Sequence, residues 1–175
     1  IRSGLYILGA RPAMGKSTFA INLADNIDGN VLFVSLEMSP EQITAKRVAR
    51  LTGIPAAKLL RGAVTDDDWQ KIAIANSALS GQGVFINSHY DLTVQQIQLL
   101  AQSVPELRAV VVDYLGLITP TTRGGSTYEN ISQISRELKR LAISLNIPVI
   151  CLSQLSRAVE GRQNKRPMLS DLRDS

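Results

Sequence analysis

The sequence predicts an α/β fold in which one mostly parallel sheet is covered by helices on both faces. Short apolar segments alternate along the whole chain with longer amphipathic stretches, the pattern of repeated strand–helix units joined by right-handed crossovers. The apolar segments are continuous and rich in Val, Ile and Leu, as expected of strands buried on both faces. The predicted strands are Leu5–Leu8, Val31–Leu36, Val84–Asn87, Ala109–Asp113 and Val149–Leu152.

Helices are predicted between these strands from their capping residues and apolar periodicity. Ser39 stands three residues before Gln42 with Pro between them, which is a capping box with proline at the first helical position. Thr65 precedes three aspartates, which favour the positive end of a helix dipole, and Thr93 begins another capping pattern. The longest predicted helix covers Glu129–Leu145, where one apolar stripe runs along a charged surface.

Size and composition indicate one globular domain covering residues 1–175. The 175 residues are 45% hydrophobic and 19% charged, with a net charge of +4 and no internal repeat or low-complexity linker. No apolar run approaches the ~18–20 residues of a membrane span, and no signal peptide opens the sequence, so we expect a cytoplasmic protein without membrane contact. The single cysteine, Cys151, lies in an apolar strand and is expected to be a core residue.

The stretch after the first strand has the character of a phosphate-binding loop. It consists of Ala10, Arg11, Pro12, Ala13, Met14, Gly15, Lys16, Ser17 and Thr18. A strand, a glycine-bearing turn and a helix form the context in which backbone N–H groups surround a phosphate. Lys16 is then placed to reach the β- and γ-phosphates, and the Ser17 hydroxyl to bind Mg²⁺.

One position departs from the strict pattern of such loops, which begins with glycine six residues before the lysine. Here that position is Ala10, which is tolerable if its φ is negative. The alternative interpretation is a glycine turn followed by an accidental Lys-Ser pair. The strand before the loop and the helix after it favour a site for a nucleoside triphosphate.

Three predicted strands end in polar side chains suited to work on a triphosphate. Asp113 closes an apolar strand, as does the acid that holds Mg²⁺ in phosphate-loop enzymes. Glu37 follows the second strand, and a position adjacent to the first strand would bring its carboxylate to the γ-phosphate as a general base. Gln154 ends the last strand with an amide that can both donate and accept hydrogen bonds. The alternative for the two acids is an ordinary surface position.

Two polar loops follow strand ends and are expected on the phosphate-loop side of the sheet. The first covers residues 120–127 and the second residues 157–170. Basic residues crowd the last twenty positions, namely Arg157, Arg162, Lys165, Arg166 and Arg173. Such a cluster is usually a solvated loop, and it contacts a nucleic-acid backbone only where the fold points it into a channel. No aromatic residue is interleaved with it, which disfavours base stacking.

Five motifs resemble, in order, those of the DnaB-type replicative DNA helicases. They are Gly9–Thr18, Ser35–Met38, Val112–Leu115, Leu152–Arg157 and Arg166–Ser175, and they span nearly the whole chain. The resemblance implies a RecA-like ATPase domain of a ring-shaped homo-hexamer that uses ATP and Mg²⁺ to move along single-stranded DNA. It also implies a primase and a helicase loader as partners.

The resemblance also implies roles for individual residues. Glu37 is the expected catalytic base, Asp113 the acid that holds Mg²⁺, and Gln154 the residue that links the γ-phosphate to DNA. Arg166–Ser175 belongs to the expected DNA loop of the pore. The expected DNA-binding residues are Arg123, Gly124, Arg162, Lys165, Arg166, Arg173 and Asp174. Either Lys46 or Arg47 is expected near the nucleotide base, and the spacing does not decide between them.

Helicases of this type also carry an N-terminal domain and a linker helix, which this sequence does not include, and the chain stops inside the last motif. The arginine finger of the neighbouring subunit is expected beyond that point. Because such fingers contribute about 10³–10⁵-fold in turnover, we expect the isolated domain to bind nucleotide but hydrolyse it slowly.

Three other functions remain open at this stage. A recombinase of the RecA or RadA type, or a related DNA-dependent ATPase, shares the same core but does not unwind DNA. A small-molecule kinase also uses a phosphate loop, but no arginine-rich lid or acceptor pocket is recognisable. A helicase loader or regulatory module would bind nucleotide without efficient hydrolysis.

Overall fold

The computed structural model describes residues 2–87, 89–121 and 124–155. Within these ranges the chain forms five strands and six helices. The strands are β1 (Gly4–Ala10), β2 (Asn30–Ser35), β3 (Val84–Asn87), β4 (Leu107–Asp113) and β5 (Pro148–Gln154). The helices are α1 (Lys16–Asp25), α2 (Pro40–Thr52), α3 (Ala56–Leu60), α4 (Asp66–Ser80), α5 (Val94–Ser103) and α6 (Thr127–Ser144). A short 3₁₀ turn covers Leu115–Leu117.

The five strands form one parallel sheet in the order β1-β5-β4-β2-β3. All five predicted strands are confirmed, with ends displaced by at most two residues from their predicted bounds. The register pairs Ala10 with Gln154 and Ser35 with Asp113. The carboxyl ends of β1, β5, β4 and β2 therefore lie together at one edge of the sheet, which is the edge where open α/β sheets bind ligands.

Alternate residues of the central strands are buried against different helices. Val110 and Val112 pack in a cluster with apolar residues of α5 and α6, whereas Ala109 and Val111 pack with residues of α1 and α2. All four are fully buried. The sheet is thus covered on both faces, as the uninterrupted apolar segments predict, and the predicted fold class is confirmed.

Capping boxes begin four of the helices. Those of α2, α4 and α5, at Ser39, Thr65 and Thr93, confirm the sequence predictions, and Ser126 caps α6 in the same way. Helix α6 consequently begins at Thr127, slightly earlier than predicted. Helix α3 is a single short turn that the sequence analysis did not predict.

The single cysteine is a core residue, as its position in an apolar strand predicts. Cys151 is completely buried in the core, and burial raises the pKa of its thiol, so it stays protonated and inert. In the parts of the chain that the structure describes, no helix is long and apolar enough to cross a membrane.

The start of helix α4 provides a prediction about pH. The Lys58 ammonium donates a hydrogen bond to Asp68, whose carboxylate also accepts one from the Thr65 backbone, and together they lower the pKa of Asp68 from 3.8 to about 2. The carboxylate therefore stabilises the folded state above pH 3.8, and this contribution is lost as the pH falls through 2. We expect Asp68→Asn to lower stability at pH 7 and the difference from wild type to vanish near pH 2.

Urea unfolding of both proteins across that pH range measures the effect. Asp66→Asn is the matched control, because Asp66 lies in the same helical turn and forms no part of the pair with Lys58. A difference between Asp68→Asn and wild type that persists unchanged at pH 2 would contradict the prediction.

Candidate functional site

The loop between β1 and α1 has the backbone conformation of an anion-binding nest. Ala13 and Gly15 both lie in the left-handed region, with φ values of 62° and 79°. Ala10 is the last residue of β1 and is not among the residues with positive φ, so its conformation is the tolerable one. Left-handed residues among right-handed ones turn successive N–H groups toward a common concave side. Within this loop the non-glycine residue in the left-handed region is Ala13, and not Ala10, the position at which the sequence departs from the strict pattern.

Helix α1 begins without a side-chain cap. Gly15 occupies its N-cap position and provides no side-chain hydrogen bond, in contrast to the capping boxes of α2, α4, α5 and α6. The first intrahelical bond joins the Phe19 N–H to the Gly15 carbonyl oxygen at 2.8 Å. The N–H groups of the first turn are thus left for a ligand, and the helix dipole favours an anionic one.

A cleft of about 400 Å³ opens over this helix end. It is lined by Ala10, Arg11, Pro12, Ala13, Gly15, Lys16, Ser17, Thr18, Glu37, Lys46 and Gln154. Every predicted nucleotide-binding residue except Met14, which is 64% exposed, contributes to the lining. Both predicted catalytic residues line the same cleft, Glu37 from the turn after β2 and Gln154 from the end of β5. The structure therefore brings together the site residues that were predicted from separate motifs.

Glu37 reaches the cleft by a route different from the expected one. Strand β2 is not adjacent to β1, because β5 and β4 lie between them. The carboxylate arrives from a turn beyond the end of β2, and Ser35 fixes this turn. The Ser35 hydroxyl donates to the Met38 carbonyl oxygen at 2.6 Å and accepts from the Met38 N–H at 3.1 Å. The predicted strand neighbourhood was wrong, and the predicted location of Glu37 at the cleft stands.

Gln154 is held at the end of β5 next to the phosphate loop. It pairs in register with Ala10, and the following N–H, that of Leu155, donates to the Ala10 carbonyl oxygen at 3.0 Å. The amide side chain therefore stands beside the first residue of the phosphate loop.

Asp113 lies behind Lys16. It is 1% exposed, and neither carboxylate oxygen has a hydrogen-bond partner among the described residues. The nearest opposite charge is the Lys16 Nζ, 3.6 Å from Oδ1. The two carboxylate oxygens of Asp113 and the hydroxyl of Ser17, which lines the cleft, are hard oxygen donors of the kind that Mg²⁺ prefers. These residues fit a magnesium ion.

The structure separates the two cations that the sequence left undecided. Lys46 lines the cleft, and it forms no ion pair within the described ranges. Arg47 points the other way and is buried, where its Nε donates to Asp25 at 2.7 Å and its Nη2 to Gln82 at 3.1 Å. Of the two, only Lys46 is available to a ligand in the cleft.

The expected DNA-binding residues fall almost entirely outside the described ranges. These are Arg123, Arg162, Lys165, Arg166, Arg173 and Asp174. Gly124 is described: it is exposed, has a φ of 102°, and precedes helix α6 without lining the cleft.

One aromatic residue at the site was missed by the sequence analysis. The Tyr114 ring lies beneath the Lys16 ammonium, with Nζ 4.3 Å from the ring centroid. Its signal in the sequence was its position directly after the strand-ending acid, which was interpreted for the acid alone.

A parallel sheet with an uncapped phosphate loop, a buried acid behind its lysine, and polar residues from neighbouring strand ends defines a RecA-like domain of the phosphate-loop class. Comparison with known proteins identifies the family. The model of the DnaB-like helicase C terminal domain matches residues 1–175, and the chain belongs to this family.

Individual relatives agree with this assignment. The chain is 40% identical to the replicative DNA helicase DnaC of Bacillus subtilis (strain 168) and 41% identical to the replicative DNA helicase DnaB of Geobacillus stearothermophilus. Each alignment covers 99% of this chain and 40% of the relative, so the chain spans less than half the length of these proteins.

Solved structures show the same relationship. A DnaB-like replicative helicase, described together with its interactions with primase, superposes with a TM-score of 0.91 at 38% identity, covering 99% of this chain and 44% of that one. The ATPase domain of G40P superposes with a TM-score of 0.89 at 37% identity, covering 99% of this chain and 64% of that one.

Proposed function

We propose that this chain is the motor domain of a replicative DNA helicase, which couples ATP hydrolysis to movement on single-stranded DNA and to unwinding of the duplex. The observation that carries the proposal is the convergence of the phosphate loop, Glu37 and Gln154 on one cleft. The buried carboxylate of Asp113 lies 3.6 Å from the ammonium of Lys16, which lines that cleft. The relatives that match nearly the whole chain are replicative helicases, which supports a helicase over a recombinase, a kinase or a loader.

Different residues of the cleft contact different phosphates of the triphosphate. The nest of N–H groups and the N-terminus of α1 surround the β-phosphate, and Lys16 neutralises charge on the β- and γ-phosphates. Arg11 and Lys46 add two cations to the lining of the cleft. A substrate with several negative charges matches this lining.

Magnesium and the attacking water are assigned to the remaining polar groups. Ser17 and Asp113 would hold Mg²⁺, which supplies charge neutralisation at the phosphates when it is bound. Glu37 is the general base that orients and deprotonates the water. Gln154 contacts the γ-phosphate or that water, so loss of the γ-phosphate alters its hydrogen bonds. Its strand pairing with Ala10 keeps it beside the phosphate loop.

DNA and protein partners complete the proposal. Single-stranded DNA is bound by the basic residues named above from the sequence, chiefly through its phosphates, with strong dependence on salt. The full protein is a homo-hexamer in which a neighbour supplies the arginine finger, and it works with a primase and a loader in the cytoplasm. One of the solved structural relatives is a replicative helicase described together with its interactions with primase, which supports a primase as a partner.

Lys16→Met in the full-length protein tests the proposed function. Loss of one charge-assisted phosphate contact is expected to weaken ATP binding about 10- to 100-fold, as measured by calorimetry, and to abolish ATP-dependent strand displacement. Lys139→Met on the exposed surface of α6 is the matched control and should leave ATP binding unchanged. Wild-type nucleotide affinity in Lys16→Met would refute a phosphate site, whereas ATP hydrolysis without strand displacement by the wild type would favour a recombinase-type ATPase.

A further inference from the structure

The Lys16 ammonium is held from two sides before any nucleotide binds. The Tyr114 ring centroid lies 4.3 Å from Nζ, and Asp113 Oδ1 lies 3.6 Å from it. The lysine side chain is 12% exposed and also lines the cleft. We propose that Tyr114 is a positioning residue, whose ring holds the Lys16 ammonium at the phosphate loop so that a triphosphate meets a cation already in place. This inference rests on the proposed function, in which Lys16 is a phosphate ligand.

The attraction between the ring and the ammonium is electrostatic. The negative face of an aromatic ring attracts a cation, and the attraction grows as water is excluded. Asp113 provides a second attraction, but its carboxylate is also the group proposed to hold Mg²⁺. The ring has no such competing partner. With that carboxylate committed to Mg²⁺, the ring would remain as the contact that restricts the lysine and would thereby reduce the entropy lost on nucleotide binding.

The ring itself has little freedom to move away. Tyr114 packs against the apolar cluster formed by α1 and the central strands. On another side it faces Gly116, where an added Cβ would lie 3.0 Å from the ring Cε2. The Leu117 N–H donates to the Tyr114 carbonyl oxygen at 3.1 Å, which fixes the backbone of this turn. Glycine at position 116 therefore leaves the space that the ring fills.

The aromatic face is the part of Tyr114 that the inference requires. Within the described part of the chain the Tyr114 hydroxyl forms no hydrogen bond, so the hydroxyl is not needed to hold the ring. We expect Tyr114→Phe to bind a non-hydrolysable ATP analogue with Mg²⁺ within about twofold of wild type, because the ring face is retained. Tyr114→Leu is expected to weaken this binding about 3- to 30-fold.

A double-mutant cycle with Lys16 distinguishes positioning from general packing. In the full-length protein carrying Lys16→Met, Tyr114→Leu should cause no further loss of affinity for the analogue. An equal loss in both backgrounds, or an affinity of Tyr114→Leu equal to or tighter than wild type, would overturn the inference.

Because Tyr114→Leu risks damage to the fold, phenylalanines carrying one to three fluorines at position 114 provide a second series, in which affinity should fall as the ring face loses its negative potential. An affinity independent of fluorination would also overturn the inference.

The two proposals fail in different ways. Wild-type affinity in Lys16→Met would remove the phosphate site itself, and the inference with it. Weak binding by Lys16→Met without coupling to position 114 would remove only the role of Tyr114 and leave the proposed function intact.

Discussion

Glu37→Gln is expected to lower the rate of ATP hydrolysis by the full-length protein about 10²–10⁴-fold while ATP affinity changes little. The amide is isosteric with the carboxylate, so the cleft keeps its shape, but it cannot accept a proton from the attacking water. In the structure Glu37 lies at the cleft and forms no ion pair with any described residue, which leaves its carboxylate available to water. Single-turnover hydrolysis and equilibrium binding of ATP, measured on the same protein, separate the two effects.

Glu41→Gln is the matched control for this substitution. Glu41 is an exposed acid in the first turn of α2, a few residues further along the same segment, and it does not line the cleft. Its replacement should leave hydrolysis near the wild-type rate. Unimpaired turnover in Glu37→Gln would exclude Glu37 as the base, and equal losses of affinity and turnover would indicate a role in binding instead.

The parts of the fold encoded in short stretches were predictable from the sequence. The strands are continuous apolar segments, and helices α2, α4 and α5 begin at capping residues three positions before their partners. The order of the strands was not predictable in this way. Parallel neighbours are joined by crossovers, and their pairing is decided by packing across the whole sheet. For this reason Glu37 was expected from a strand beside β1, although β2 lies two strands further away.

The site shows the same division between local and non-local information. The loop, Glu37, Asp113 and Gln154 were proposed as site residues because each lies at or just beyond the end of an apolar strand, and parallel strands end at one edge of the sheet. Lys46 and Arg47 were not separable, because consecutive helical residues point in different directions and only packing against the buried Asp25 decides which one enters the core. Tyr114 was overlooked for a similar reason, since its contact with Lys16 joins segments distant in sequence.

Asp25→Ala is expected to destabilise the fold by about 3–5 kcal/mol, because it leaves the buried guanidinium of Arg47 without its counter-charge. Asp25 lies at the end of α1 with its side chain 1% exposed. It accepts hydrogen bonds from Arg47 Nε at 2.7 Å and from Arg50 Nη2 at 2.9 Å. The Arg47 side chain is only 8% exposed and cannot turn to water without displacing its neighbours, whereas that of Arg50 is 29% exposed. The change in the free energy of unfolding is measured by urea denaturation.

Asp67→Ala is the matched control for this ion pair. Asp67 pairs with Lys71 one helical turn along α4, and both side chains are largely exposed, so water replaces the lost contact. The control should shift the urea midpoint far less than Asp25→Ala does. Equal shifts in the two variants would show that burial of the Asp25 network contributes nothing to stability.

A double substitution separates the net contribution of the ion pair to the free energy of unfolding from the cost of leaving one of its charges buried and unpaired. Asp25→Leu combined with Arg47→Met removes both buried charges and replaces them with apolar groups, so no cation in the core is left unpaired. Arg50 loses its partner in this variant, but its more exposed side chain can reach water. We therefore expect the double variant to recover most of the stability that Asp25→Ala loses.

The same double variant also makes a prediction about ATP affinity. The ion pair joins α1, which begins with Lys16, to α2, which carries Lys46 into the cleft, so ATP affinity should fall in the double variant even where its stability recovers. Unchanged affinity in a fully stable double variant would show that the pair holds the two helices together without setting the position of Lys46.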